Sequence, residues 1–193
     1  MSGEGPTPAA VIASEPDLPS ALWYRGALVA EKIADPLVYM LDPDCPGHLK
    51  PLYDELGAPL IRQDLLDVLI SAGVDNLQVF PAVVWDPKSG VPHRMYRTFN
   101  VVGVVSAADM DQSRVLADGD PENPVPDENT SERPMIDGEF DSLVVDESRA
   151  SGMLLFRLAE SVTTIVVHAN VRRRIEESGI EGIEFYGPDE GEN

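Results

Sequence analysis

A single cysteine, Cys45, leaves this chain of 193 residues unable to close an internal disulfide, so packing has to hold the fold and a reducing compartment suits it. There is no run of about eighteen apolar residues to span a bilayer. The opening stretch is rich in Pro, Ala and acid rather than in lysine followed by an apolar segment, so no secretory signal is expected and the cytoplasm is the expected location. Basic residues are scarce as well: 14 lysines and arginines face 34 aspartates and glutamates, for a formal net charge of -20. Such a chain repels phosphate backbones at long range, which argues against nucleic acid as a ligand and for a basic partner. Solubility and colloidal repulsion explain the same charge more simply.

Groups for catalysis are equally sparse. The three histidines, His48, His93 and His168, stand apart, and neither a glycine-rich phosphate loop nor a G-x-S-x-G turn occurs. Asp42, Asp44, Cys45 and His48 carry metal-capable atoms but lack a second Cys/His pair, so no metal and no cofactor are expected. Asp109, Asp111 and Ser113, and later Asp146-Glu147-Ser148-Arg149, read as polar turns that end strands. Arg172-Arg173-Arg174 reads as a solvated helix face screened by Glu176 and Glu177. An enzyme would need Asp109, Asp146, Arg149 and His168 to converge in one cleft, and nothing in the sequence singles them out for that. The chain is therefore expected not to be an enzyme.

What is present is a unit used twice, at Leu60 to Pro81 and at Val166 to Gly187. Each copy is read as an apolar pair, a polar capping residue, a short amphipathic helix ending in glycine, and then a strand with an aromatic near its end. In the first these are Leu60-Ile61, Asp64, Leu65 and Leu69, Gly73, and Leu77-Gln78-Val79-Phe80. In the second they are Val166-Val167, Asn170, Val171 and Ile175, Gly179, and Ile183-Glu184-Phe185-Tyr186. Asp64 and Asn170 are expected to cap the helix starts, and Gly73 and Gly179 to take the left-handed conformation at the ends. The units read either as an internal duplication or as convergence on a common connector, and the frequency of such caps favours the second.

With 43% hydrophobic residues the chain can bury one sizeable core. The expected organisation is a disordered acidic, Pro-rich N-terminus over 1–19, a single α+β domain over 20–187, and an acidic tail over 188–193. The domain is read as a mixed or largely antiparallel sheet with two short capped helices. Leu37 to Leu41 is read as a strand, and Val79 to Trp85 with Met95 to Val105 as an antiparallel hairpin across the turn Asp86 to Gly90. A mobile acidic loop is expected over 117–137, where prolines and carboxylates replace apolar residues.

Leu60 to Leu69, continuing through Ala72 to Pro81, resembles the central segment of immunity protein family eleven of bacterial polymorphic toxin systems. Tyr96 to Val105 followed by Asp109 to Ser113 is similar to that family's returning strand and acidic turn. Leu143 to Asp146, Leu155 to Glu160 and Gly179 to Phe185 follow in the family's order. The resemblance covers roughly Leu60 to Tyr186. It implies a small cytoplasmic protein, made beside a toxin, that protects its producer by binding that toxin without an activity of its own. It supplies no catalytic residues and no contact residues. Physics proposes the contacts instead: an acidic inhibitor can speed encounter with a basic toxin and fill its substrate groove, carboxylates standing in for phosphates. The candidate surface is Asp118, Asp120, Glu122, Asp127, Glu128, Asp137, Glu139 and Asp141, with Trp85 as an aromatic anchor. The rival expectation is a non-catalytic scaffold or regulatory binding module with no toxin partner.

Overall fold

β-Branched and aromatic residues are frequent in Leu37–Leu41, Leu77–Trp85 and Tyr96–Val101, and these segments form the middle of the main sheet. The computed structural model describes residues 10–15, 19, 21–45, 47–54, 56–117 and 138–187. In chain order the elements are β1 (Val11–Glu15), α1 (Ala21–Tyr24), β2 (Leu37–Leu41), β3 (Leu52–Tyr53), β4 (Leu60–Arg62), α2 (Gln63–Ser71), β5 (Leu77–Trp85), β6 (Pro92–His93), β7 (Tyr96–Val101), β8 (Val104–Val105), β9 (Arg114–Ala117), β10 (Gly138–Ser142), β11 (Leu155–Leu158), β12 (Ile165–Val167) and α3 (Ala169–Ser178). Among the described residues no helix is long and apolar enough to cross a membrane.

The main sheet is ordered β1-β2-β5-β7-β4-β3, with β6 also paired to β5. Its β2 and β5 run parallel, from Leu37 opposite Ala82 to Met40 opposite Trp85, and its other ladders are antiparallel. A smaller sheet, β12-β11-β8, joins β11 to β8 in parallel, while β9 and β10 form a separate antiparallel ribbon. The side chain of Asn76 links the two larger sheets, donating to the carbonyls of Val102 at 3.0 Å and Leu155 at 2.9 Å. A mixed sheet carrying a few short helices is the single α+β domain expected from sequence.

Strand alternation sorts the main sheet into two faces. Leu37, Tyr39, Leu60, Val84 and Tyr96 point to one side, where Trp23 of α1 closes the core over them. Ile61, Phe99 and Val101 point to the other, where Leu65 and Leu69 of α2 and Val171 and Ile175 of α3 cover them. Each large side chain so buried contributes about 1.5–3 kcal/mol. A third cluster, built on Ala107, Ala108, Phe156 and Leu158, is met by Phe140 beside the β9–β10 ribbon.

The two sequence units fold alike in their first halves and differ in their second. Leu65 and Leu69 of α2 correspond to Val171 and Ile175 of α3, and all four are buried. Gly73 and Gly179 follow the helices with φ of +97° and +70°. The N-caps, however, lie two residues before those expected. Arg62 is the N-cap of α2 and makes no side-chain cap bond, and His168 is the N-cap of α3, its Nδ1 accepting from Asn170 N at 3.1 Å. Asp64 instead sits in the first turn of α2, where a carboxylate favours the amide end of the helix, and it is gripped by Arg62 Nε at 2.7 Å. After α3, Ile183 and Phe185 pack against the helical core without forming the strand that Leu77 begins after α2.

Two boundaries also move. The N-terminal stretch expected to be disordered carries β1, whose backbone extends the sheet on the free edge of β2, with Val11 opposite Leu41 and Glu15 opposite Val38. Ala117, expected to open the mobile loop, is instead the last residue of β9 and pairs with Gly138, and the rest of that expected loop lies outside the described residues.

Candidate functional site

The residues an enzyme reading would need are each engaged locally. Asp109 accepts from the amides of Asp111 and Gln112 in its own turn. Asp146 accepts from the Ser148 hydroxyl at 2.6 Å, which holds its carboxyl below the usual range, and pairs with Arg149 at 3.0 Å. His168 caps α3. The two acidic turns adjoin through the Ala108–Val145 bridge, but no hydrogen bond or ion pair joins His168 to either. Arg172 and Arg173 pair with Glu176 and Glu177 along the α3 surface. Asp42 accepts from Asp44 N, and among the described residues no group of three His, Cys, Asp or Glu could hold a metal ion.

Of the sequence-predicted contact residues, Asp118, Asp120, Glu122, Asp127, Glu128 and Asp137 lie outside the described residues. Glu139 and Asp141 belong to β10, where Glu139 is opposite Leu116 and Asp141 pairs with Arg114 Nε at 3.3 Å. The ends of the acid-rich segment are thus fixed side by side, Ala117 against Gly138. Trp85 belongs to a different sheet, at the end of β5.

Trp85 lies at the far end of the half of the helix-bearing face that the helices leave bare. Met40 is opposite Trp85, Val38 opposite Val83 and Trp85 opposite Pro92, so these side chains share one face. Val79 and Pro81 continue it along β5 by alternation. The helices α2 and α3 cover the same face only around Ile61, Phe99 and Val101. As a result Val38 is 41%, Met40 44%, Val79 41% and Trp85 40% exposed around a Val83 that is only 8% exposed, whereas Tyr39 and Val84 on the opposite face are fully buried. Asp42 and Asp44 follow β2, and Asp86 follows β5, placing carboxylates at the Trp85 end. The Ser89 hydroxyl donates to Asp86 at 2.6 Å and holds its carboxyl below the usual range. Cations share these surroundings: Lys88 donates to the Pro43 carbonyl, Arg97 donates to those of Arg94 and Tyr96, and Arg94 is exposed after β6.

Sequence reasoning named Trp85 but not Val38 or Met40. Their alternation with Leu37, Tyr39 and Leu41 looks like any continuous apolar strand, and only the parallel pairing with β5 shows which of them face outward.

Two clefts lie elsewhere among the described residues. One of about 1150 Å³ lies among the helices and the small sheet, lined by Leu65, Phe99, Met153, Ile165 and Phe185. The other, about 420 Å³, holds the Arg62–Asp64 pair beside His48 and Ile180. The hydrogen bond from Arg62 lowers the Asp64 pKa, so this cleft carries a stable ion pair. Deep in the fold, Arg157 donates from Nη1 to the Val162 carbonyl at 2.8 Å and stacks 4.5 Å from the Tyr24 ring centre, and burial pulls its pKa below the usual arginine value. Glu160, also buried, accepts from the Ser106 hydroxyl at 2.5 Å. These groups sit within the core.

Residues 4–188 match the family described as Immunity protein family (Imm11). No curated protein matches the chain.

Proposed function

Since the chain belongs to the Imm11 immunity protein family, we propose that it binds a cognate bacterial toxin directly in the cytoplasm and neutralises it, with no catalytic step of its own. The observation that carries this reading is the match over residues 4–188, which takes in nearly the whole domain. The local commitments of Asp109, Asp146, Arg149 and His168 accord with inhibition by contact. The net charge of -20 accords with a basic toxin, whose approach it would accelerate. On this reading Asp118, Asp120, Glu122, Asp127, Glu128 and Asp137, joined to Glu139 and Asp141 of β10, stand in for the phosphates of the toxin's substrate.

The test is a calorimetric titration of the purified chain with the toxin domain encoded by the adjoining gene, at low and at high salt. Binding that weakens as salt rises is the expected result. Neutralising the eight acids to Asn and Gln should then lower both the affinity and its salt dependence. Unchanged affinity and salt dependence would remove the substrate-mimic mechanism, and no binding by the unaltered chain would remove the toxin reading itself.

A further inference from the structure

The bare half of the main sheet is a second candidate contact surface, separate from the acid-rich hairpin. We infer that Trp85, Met40, Val38 and Val79 form the apolar centre of a docking surface for a cationic protein, the toxin of the reading above, on which this inference rests.

Strand spacings give the face roughly 20 Å along β5 and roughly 15 Å across β6, β5 and β2, or about 300 Å². A patch of that size is at the scale that marks interaction sites on monomers, and one bulky aromatic among aliphatic neighbours is the usual make-up of a binding anchor. It is too small to be a whole interface, since a stable complex covers about 800 Å² on each partner. More than half of the covered surface must therefore come from the surroundings of the patch.

Charge then selects the occupant. At the Trp85 end those surroundings carry both signs, Asp42, Asp44 and Asp86 with Lys88, Arg94 and Arg97, so the charge of the whole chain is what sets the long-range field. The chain as a whole carries -20. Two copies, each carrying -20, would repel as they approach. A cationic partner meets both requirements. Its apolar residues cover the patch, its lysines and arginines meet the carboxylates, and an arginine can stack on the exposed indole.

The experiment titrates the full chain with the toxin domain of the adjoining gene, following tryptophan emission and affinity together. Trp23 is fully buried, so within this chain Trp85 is the indole able to change surroundings. Trp85→Ala and Met40→Glu are compared with the unaltered chain and with Ile70→Ser, a change at an exposed position on α2. Urea unfolding midpoints confirm that each variant is folded. The expected result is a blue shift on binding, loss of affinity by about tenfold or more in Trp85→Ala and Met40→Glu, and none in Ile70→Ser. If the unaltered chain binds and both face variants bind equally well, this inference is wrong and the toxin reading stands. If the unaltered chain does not bind, both fall. Sedimentation of the chain alone supplies the remaining arm: a dimer that Met40→Glu dissociates would place a second copy on the face and overturn the cationic partner.

Discussion

The hydroxyl of Tyr39 shows how a single polar atom is made to serve a core. Fully buried, it bonds to the Ala58 carbonyl at 2.9 Å and shares a 2.8 Å hydrogen bond with the Thr98 hydroxyl, tying β2 to β7 across the intervening β5. Burial pushes its pKa up to about 12, against the opposing pull of the Thr98 bond. Tyr39→Phe should therefore lower stability by about 1–3 kcal/mol, since Ala58 and Thr98 each lose a buried partner. The same residue sets a pH dependence. Between the unfolded tyrosine value near 10 and the folded value of about 12, the folded state retains a proton that the unfolded state has lost, so stability falls as pH rises through that window. Burial also raises the pKa of Tyr96, which adds to the fall. Urea unfolding from about pH 9 to about pH 12 should show a shallower decline in Tyr39→Phe, by up to about 1.4 kcal/mol per pH unit. Parallel declines in variant and unaltered chain would show that Tyr39 is not the titrating group.

At the scale of elements, the chain just after α1 passes close against β8 of the small sheet. Gly26 has φ of +69°, and a Cβ there would lie 2.3 Å from Val104 Cγ2 and 3.0 Å from the Val104 backbone nitrogen. Gly90 has a similar φ of +70° but faces open space. Gly90→Ala should cost about 1 kcal/mol, from backbone strain alone, while Gly26→Ala adds about 1–3 kcal/mol of overpacking. Equal thermal shifts for the two variants would contradict the close approach. Local patterns of this kind decided what could be read from the sequence. The β5–β7 hairpin announced itself through β-branched runs across a short turn, and both helices through their apolar spacing and terminal glycines. The helix starts were misplaced because Asp64 and Asn170 are good capping types, while the N-caps, Arg62 and His168, are not among the usual ones. The edge strand β1 and the parallel pairing of β2 with β5 depend on distant partners, which no local pattern encodes. For the same reason the candidate site was legible only as isolated parts: Trp85 as an aromatic at a strand end and the acids as a composition, but not the face that Trp85 shares with Val38 and Met40.

For the molecule as a whole, family membership and charge carry the function. The Imm11 match covers the domain from end to end, the net charge of -20 favours a basic partner, and an uncovered apolar face offers a place for one. On the proposed reading, the protein works by occupying another protein. Catalysing a reaction is not part of that account. The most direct measurement is growth of cells expressing the toxin domain of the adjoining gene, with and without this chain, together with recovery of the two proteins as a complex. The account predicts restored growth and a complex. Continued killing with no complex, when the toxin is active and this chain is folded, would contradict it.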